Sequence, residues 1–309
     1  MKITHFCPAK VNLFLEVTGK LPNGYHELAT LFAKINMGDT LTIDITPSAQ
    51  THISLLLTGP VGAQLPANPN NLVWKAAQAF LDFFQLTATL HIVLDKHTPT
   101  GAGLGGGSSD AAHVLLILCE FFKKDFKLLL PIAAKLGADV PLFMFQNTFL
   151  KGEGIGEKLT PISKTENLPY LVLAYPNKII PTKGVFGRLH LPTQTEILTN
   201  CSKLDRLIDV ISTGQPFNQW KGLLFNRLEE CVFPYAPEVK ATWQAFKKAE
   251  AEIVMMSGSG STVFCLAKTK TQAEKIFSLL QNQERMCYIT TFYEERHHAN
   301  NRNTDTFNE

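Results

Sequence analysis

Between Pro99 and Asp110 the chain reads Pro-Thr-Gly-Ala-Gly-Leu-Gly-Gly-Gly-Ser-Ser-Asp, five glycines within seven positions, and an apolar helical stripe follows at once. Glycines let backbone N–H groups come close to an anion. The helix that follows, read over about residues 108–124 from Ala111, Val114, Leu115, Leu118 and Phe122, adds its unpaired N–H groups and positive dipole end. Ser108 and Ser109 can donate further bonds to a phosphate or sit near a metal. The pattern predicts a phosphate-like ligand; the plainer alternative is a tight or flexible strand–helix connection. A Walker loop is excluded, since no Lys closes the glycines. The letters Gly101-x-Gly103-x-x-Gly106 satisfy the dinucleotide fingerprint, with Asp125 about 20 residues on. That loop, however, turns directly after its first strand, whereas here residues 95–100 intervene and no second strand carries Asp125.

The 309 residues suggest two domains at about 150 residues each. Hydrophobic residues at 45% and charged residues at 18% describe a globular chain, not a disordered one. The net charge of +2, with basic residues scattered, argues against nucleic-acid or membrane-surface binding. The six cysteines are dispersed, with no CxxC pair and no apolar leader, which fits reduced thiols in a cytoplasmic protein. No apolar stretch is long enough to span a bilayer.

Strand and helix patterns alternate, which predicts a mixed α/β architecture. Val11, Leu13, Leu15 and Val17 alternate with Lys10, Asn12, Phe14 and Glu16, a period-2 strand that ends at the Leu21-Pro22-Asn23-Gly24 turn. Strands are predicted over 41–45, 53–57 and 90–94, with a helix capped by Asn71 running to about Phe84. Pro131 can start a short helix that Gly137 ends. The apolar run 140–145 reads as a buried strand, and the glycine-bearing segment 151–157 as a hinge. Beyond it, strands are predicted near 170–174 and 252–256, and helices near 205–211, 223–232, 238–249 and 271–282. This second half reads as α+β.

Four further features could carry chemistry. Asp139, in Gly-Ala-Asp-Val-Pro, enters an apolar run where an unpaired carboxylate would be costly, although a cap or loop bond would also explain it. Lys10 is its candidate partner, and shares a strand face with Asn12. Tyr25-His26, beside Asn23-Gly24, can stack on a base or be a solvated loop pair. Gly258 and Gly260, between two apolar segments, can be a hairpin turn or bring backbone against a ligand.

Their order along the chain resembles the GHMP kinase superfamily. The resembling segments are Ala9–Leu13, Asn23–Leu28, Pro99–Ala112, Gly137–Pro141, Gly154–Glu157, Ile180-Pro181-Thr182 with Phe186, Asn226-x-Leu228-Glu229 and Ser257–Gly260. They are collinear from about residue 9 to 264. The resemblance implies a two-domain α+β GHMP kinase fold: an ATP-binding domain over 1–158, a ferredoxin-like domain over 159–296, the site in the cleft between them, and a polar tail over 297–309. It implies an ATP-dependent enzyme acting on a small alcohol. The Tyr-His pair and the Gly-Ala-Asp-Val-Pro run point to the branch that phosphorylates the 2-hydroxyl of 4-diphosphocytidyl-2-C-methyl-D-erythritol, in the non-mevalonate route to isoprenoid precursors. Homoserine, mevalonate and galactose kinases of the superfamily, and a non-catalytic nucleotide-binding module, are the rival readings.

The resemblance further implies that Lys10 and Asp139 are catalytic. Pro99, Thr100, Gly101, Ala102, Gly103, Leu104, Gly105, Gly106, Gly107, Ser108 and Ser109 would wrap the phosphates of ATP, which Mg²⁺ accompanies. Tyr25, His26 and Phe186 would sandwich a cytosine, Asn12, Thr182 and Asp139 would contact the acceptor, and Gly258 and Gly260 would support the site. No metal ligand of the protein itself is expected. The expected partner is a small molecule bearing a cytidine diphosphate group, with the chain acting as a monomer or weak homodimer. Two departures stand out. Arg227 replaces the usual acid between Asn226 and Leu228, so no role is assigned there, and Asp110 stands where an Asn is also common, a change expected to be neutral.

Overall fold

The strands β1 (Lys2–Lys20) and β2 (His26–Pro47) form one long antiparallel hairpin whose turn is the predicted Leu21–Gly24. Gly24 takes φ +87°, and its N–H donates to Leu21 O at 2.9 Å. Register shifts at Pro8/Ala9, Asn12/Phe14 and Val17/Gly19 bend the hairpin. With β3 (His52–Thr58), β4 (Ala88–Asp95), β5 (Phe149–Glu153) and β6 (Lys158–Ile162) it builds the first sheet, in the order β3-β4-β2-β1, with β5 also pairing to β2 and β6 to β5. The second sheet contains β7 (Tyr170–Tyr175). After it, β8 (Phe225–Asn226) returns to the first sheet and runs parallel to β1, pairing at Phe14 and Leu15. The strands β9 (Ile253–Met256), β10 (Val263–Ala267) and β11 (Met286–Thr290) complete the second sheet, order β11-β7-β10-β9, all antiparallel. With helices Pro237–Lys248 and Lys270–Leu280 this is the βαββαβ arrangement of a ferredoxin-like unit. The computed structural model describes residues 1–63, 65–163, 168–281 and 285–294. The polar tail expected over 297–309 lies outside them.

Three apolar layers explain the strand patterns. One face of the first sheet packs Leu41, Ile43, Leu90 and Ile92 on helices Leu72–Phe83 and Gly106–Phe121. The other packs Val11, Leu13 and Leu31 against Leu171 and Leu173 of the second sheet and Leu204 and Leu207 of helix Gln194–Ser212. The far face of the second sheet, including Val172, Ala174 and Cys265, covers Val239, Phe246 and Ile276. Because β1 is buried on both faces, its polar residues are buried too: Lys10, Asn12 and Glu16 are at most 4% exposed. A buried polar side chain needs partners, so the polar side of this strand has to be a network.

Several local expectations are corrected. The run 140–145 is no strand but a 3-10 turn over Pro141–Met144 with all four residues buried. Pro141 has no N–H to give a ladder, and apolar continuity reports burial, not conformation. The hinge expected over 151–157 is the β5–β6 hairpin, with Gly154 at φ +68° and Gly156 at φ +101° in its turn. The helix expected over 223–232 shrinks to Glu229–Val232, because Phe225 and Asn226 pair with β1. Helix Gln194–Ser212 is longer than the 205–211 expected; the capping box of Thr193 and Glu196 marks its true start. Since β6 pairs within the first sheet, we propose that the unit boundary expected at 158/159 is better drawn after Ile162. The bridge between Ile35 and Phe292 also returns the described C-terminal end to the first sheet.

Candidate active site

Lys10 and Asn12 point to one side of β1. Lys10 Nζ donates to Asn12 Oδ1 at 2.8 Å, Asn12 Nδ2 to Thr30 Oγ1 at 2.9 Å, and Thr30 Oγ1 to Phe14 O at 2.6 Å. This chain fixes the ammonium without neutralising it. Among the described residues its carboxylate neighbour is Asp139, with Oδ2 3.6 Å from Nζ. Asp139 sits in the turn after Gly137, not at a strand start, and its side chain is 38% exposed against 6% for Lys10. A carboxylate that must take a proton from a substrate has to be reachable, and this one is.

The glycine loop leaves β4 and ends as helix Gly106–Phe121. Gly101, Gly103 and Gly105 adopt φ of +65°, +78° and +69°, and alternate with Ala102 and Leu104, which are 1% exposed. The buried residues pin the loop, and left-handed glycines recurring along a backbone are the kind of conformation that can make an anion-binding concavity. The first intrahelical bond is Ser109 N to Gly105 O, so the N–H groups of Gly106, Gly107 and Ser108 have no carbonyl within the helix. Gly107 faces open space. The Ser109 hydroxyl is buried and has no protein partner. Upstream, Pro99 is buried and Thr100 is exposed.

Backbone contacts join these parts. Lys10 N donates to Leu104 O at 2.9 Å, and a Cβ at Gly105 would lie 3.1 Å from Lys10 Cγ and 3.0 Å from Phe143. The second glycine turn closes from the other unit: Thr262 N donates to Ala102 O at 3.1 Å and Ser257 Oγ to Gly103 O at 2.9 Å. A Cβ at Gly258 would lie 3.2 Å from Asn12 Oδ1 and 3.5 Å from Lys10 Nζ. Thus Lys10, Asn12, Asp139, the glycine loop and the Gly258–Gly260 turn share one cleft between the two sheets.

The aromatic residues lie elsewhere along the hairpin. His26 opens β2, and its ring stacks on Phe186 with centroids 5.1 Å apart at 25°. Two stacking layers need about 7 Å, so no base fits between these rings as they stand, and the expected sandwich is closed. Tyr25 is 59% exposed on the turn. Burial, then the charge of Lys20, lowers the His26 imidazole. Thr182 shares a hydrogen bond of 2.9 Å with Ser259 of the glycine turn, which ties the Thr182–Phe186 helical turn to the phosphate side.

Models of the GHMP kinase N-terminal and C-terminal domains match residues 71–147 and 213–284. The chain is 35% identical to the 4-diphosphocytidyl-2-C-methyl-D-erythritol kinase of Lachnoclostridium phytofermentans over 93% of its own length and 96% of that protein. Identity to the kinase of the same name from Deinococcus radiodurans is 37%, over 87% and 86% of the two chains. The chain belongs to the 4-diphosphocytidyl-2-C-methyl-D-erythritol kinase family. As a member it is an enzyme, a kinase of the GHMP type. A crystal structure of a 4-(cytidine 5'-diphospho)-2C-methyl-D-erythritol kinase superposes with a TM-score of 0.75 at 30% identity, over 94% of this chain and 98% of that one. Homoserine kinase from Cytophaga hutchinsonii gives the same TM-score at 19% identity, over 94% and 95%, a likeness of fold alone. Among the described residues no helix is long and apolar enough to cross a membrane.

Two buried charge clusters surround the departures at Asp110 and Arg227, and the sequence did not reveal their partners. Under the glycine loop, Lys96 Nζ bonds Asp39 Oδ2 at 2.5 Å and Asp110 Oδ2 at 2.7 Å, and Asp39 Oδ1 also accepts from the N–H groups of His97 and Thr98. One ammonium thus holds two buried carboxylates. Burial raises the Asp110 carboxyl to about 7, with Lys96 pulling it down and Asp39 pushing it up. Asp for Asn at this position therefore carries an electrostatic consequence and is not neutral as expected. The second group is Arg227, left without a role by the sequence. Its Nε and Nη2 bond the two oxygens of fully buried Glu16, each at 2.8 Å, so the departure from the family pattern neutralises a carboxylate on β1. An acidic residue in a polar strand pattern was the one available signal; its partner, 211 positions away, was invisible.

Proposed function

We propose that the chain transfers the γ-phosphoryl group of ATP to the 2-hydroxyl of 4-diphosphocytidyl-2-C-methyl-D-erythritol, in the cytoplasm. The observation that carries the reading is the free-standing pair Lys10–Asp139, 3.6 Å apart, beside the glycine loop. Phosphoryl transfer asks for positioning and charge stabilisation more than for covalent chemistry. The loop amides and the start of helix Gly106–Phe121 bind the phosphates. Asp139 accepts the hydroxyl proton as the alcohol oxygen bonds to the γ-phosphorus and the bond to the β–γ bridging oxygen breaks, releasing ADP. Lys10 counters the negative charge on the transferring group. Mg²⁺ bound with the nucleotide would supply positive charge against the phosphate oxygens. The Ser109 hydroxyl at the helix start, which has no protein partner, would be the chain's own group offered to such an ion; among the described residues no cluster of three His, Cys, Asp or Glu could hold a metal. His26, Phe186 and Tyr25 receive the cytosine, and Asn12 and Thr182 face the acceptor.

The test is ADP release with and without the cytidine diphosphate polyol, with homoserine, mevalonate and galactose as competing acceptors. Release that depends on the cytidine polyol supports the reading. ATP binding without any acceptor-dependent release, or preference for another acceptor, overturns it.

A further inference from the structure

We propose that Asn226 is a positioning residue for phosphoryl transfer: its carboxamide sets how deeply the second glycine turn closes over Lys10 and Asn12. The inference rests on the kinase reading above. Asn226 is 4% exposed, and both N–H donors and the oxygen of its amide are engaged. Nδ2 donates to Met256 O at 2.7 Å and to Gly258 O at 2.8 Å, and Oδ1 accepts from Leu228 N at 3.0 Å. Met256 is gripped from the other side as well, its N–H donating to Glu229 Oε1 at 2.7 Å. Two buried carbonyls two residues apart at a turn need donors, and a side-chain amide is a group that supplies two from one atom.

The position of that amide is not free. Asn226 belongs to β8, which pairs in parallel with β1 at Leu15, and Arg227 N donates to Leu15 O at 2.8 Å. The strand that carries Lys10 therefore carries the clamp that holds Gly258 against Lys10. The same turn reaches the phosphate loop through Ser257 Oγ and Gly103 O. One side chain thus ties the depth of the ammonium to that of the loop, across the junction of the two units. Misplacing reacting groups by about 1 Å can cost on the order of 100-fold in rate.

Asn226→Ala and Asn226→Asp remove both donors, and the second also sets a carboxylate against two carbonyl oxygens. Each is expected to lower kcat about 10- to 100-fold, corrected for folded fraction, while KM for ATP changes less than about threefold. Because the clamp acts through Lys10, Asn226→Ala is expected to cost much less in a Lys10→Ala background; a purely structural role would cost the same in both. Should the Asn226 variants not fold, Ser257→Ala, which cuts the other tether of the turn, is expected to lower kcat about threefold or more. Folded variants that turn over at the wild-type rate, or equal losses in both Lys10 backgrounds, overturn the proposal. Wild-type turnover of the cytidine polyol is the control: its absence would fail the kinase reading and leave these comparisons unmade.

Discussion

The two ends of the cleft are built differently. At the phosphate end the parts are buried and held by backbone: Ala102, Leu104 and Lys10 are at most 4% exposed, and main-chain hydrogen bonds link the loop to β1 and to the second glycine turn. At the base end the parts are side chains at the rim, with His26 and Phe186 stacked on one another and Tyr25 in solvent. Triphosphate recognition uses peptide N–H groups, whose direction is set by the fold before any ligand arrives. Base recognition uses aromatic faces, which rest against each other when no base separates them. On the proposed function the first end is preorganised and the second would have to open to take a base, at the cost of a ring stack of about 0.5–1.5 kcal/mol.

This contrast can be broken or sharpened in order of effect. Asp139→Asn is expected to lower kcat by about 100- to 10,000-fold while ATP affinity, measured by titration, stays near the wild-type value. Near-normal turnover would remove Asp139 from the chemistry. Gly103→Ala comes next. Gly103 is held at φ +78° and an added Cβ would overlap the Ser257 carbonyl oxygen and lie 2.9 Å from Gly260 O. The left-handed conformation alone costs about 1–2 kcal/mol for a residue with a Cβ, and backbone on backbone cannot yield cheaply. Loss of ATP affinity together with a lower melting temperature is expected; a variant that binds ATP normally would show that the loop is not preset.

The third test concerns the floor of the phosphate end. The folded protein holds a proton on Asp110 up to about pH 7, whereas the unfolded carboxyl loses it near 3.8. The stability this group contributes is therefore complete below about pH 4 and is lost as the pH rises toward 7. His113, buried and pushed down to about 3, has the opposite slope, so wild type and variant must be compared. Asp110→Asn is expected to flatten the fall and to melt higher than wild type above pH 7. Identical pH profiles of melting temperature would clear Asp110 of that cost. The smallest effect belongs to the base end: His26→Ala should raise KM for the cytidine polyol several-fold, on the scale of one stacking contact of about 1–3 kcal/mol, and leave KM for ATP alone. Equal losses for both ligands would erase the distinction between the two ends.

Features encoded within a few neighbouring residues were legible in the sequence. The glycine loop, its helix, the Asn71 cap and the Leu21–Gly24 turn each depend on local spacing and on conformations that few residues adopt. Lys10 and Asp139 stood out because each carried charge into an apolar run. Elsewhere the reading failed: 140–145 is buried but is no strand, because proline chemistry decided it, and the helix expected over 223–232 keeps only its last turn, because Phe225 and Asn226 pair with β1.

By itself the sequence determined that left-handed glycines would lead straight into a helix start, since those conformations are local and Gly alone adopts them freely. Only the tertiary structure decided which side chains would meet across the cleft. The partners of Lys10, Asn226, Lys96 and Arg227 lie between 2 and 211 positions away, and the distant ones come into reach only at the buried interface where strands pair, helices pack on the sheet and the two sheets meet. Burial in that interface is what turns distant polar residues into obligatory partners, because a charge or amide removed from water must be paired where it lies.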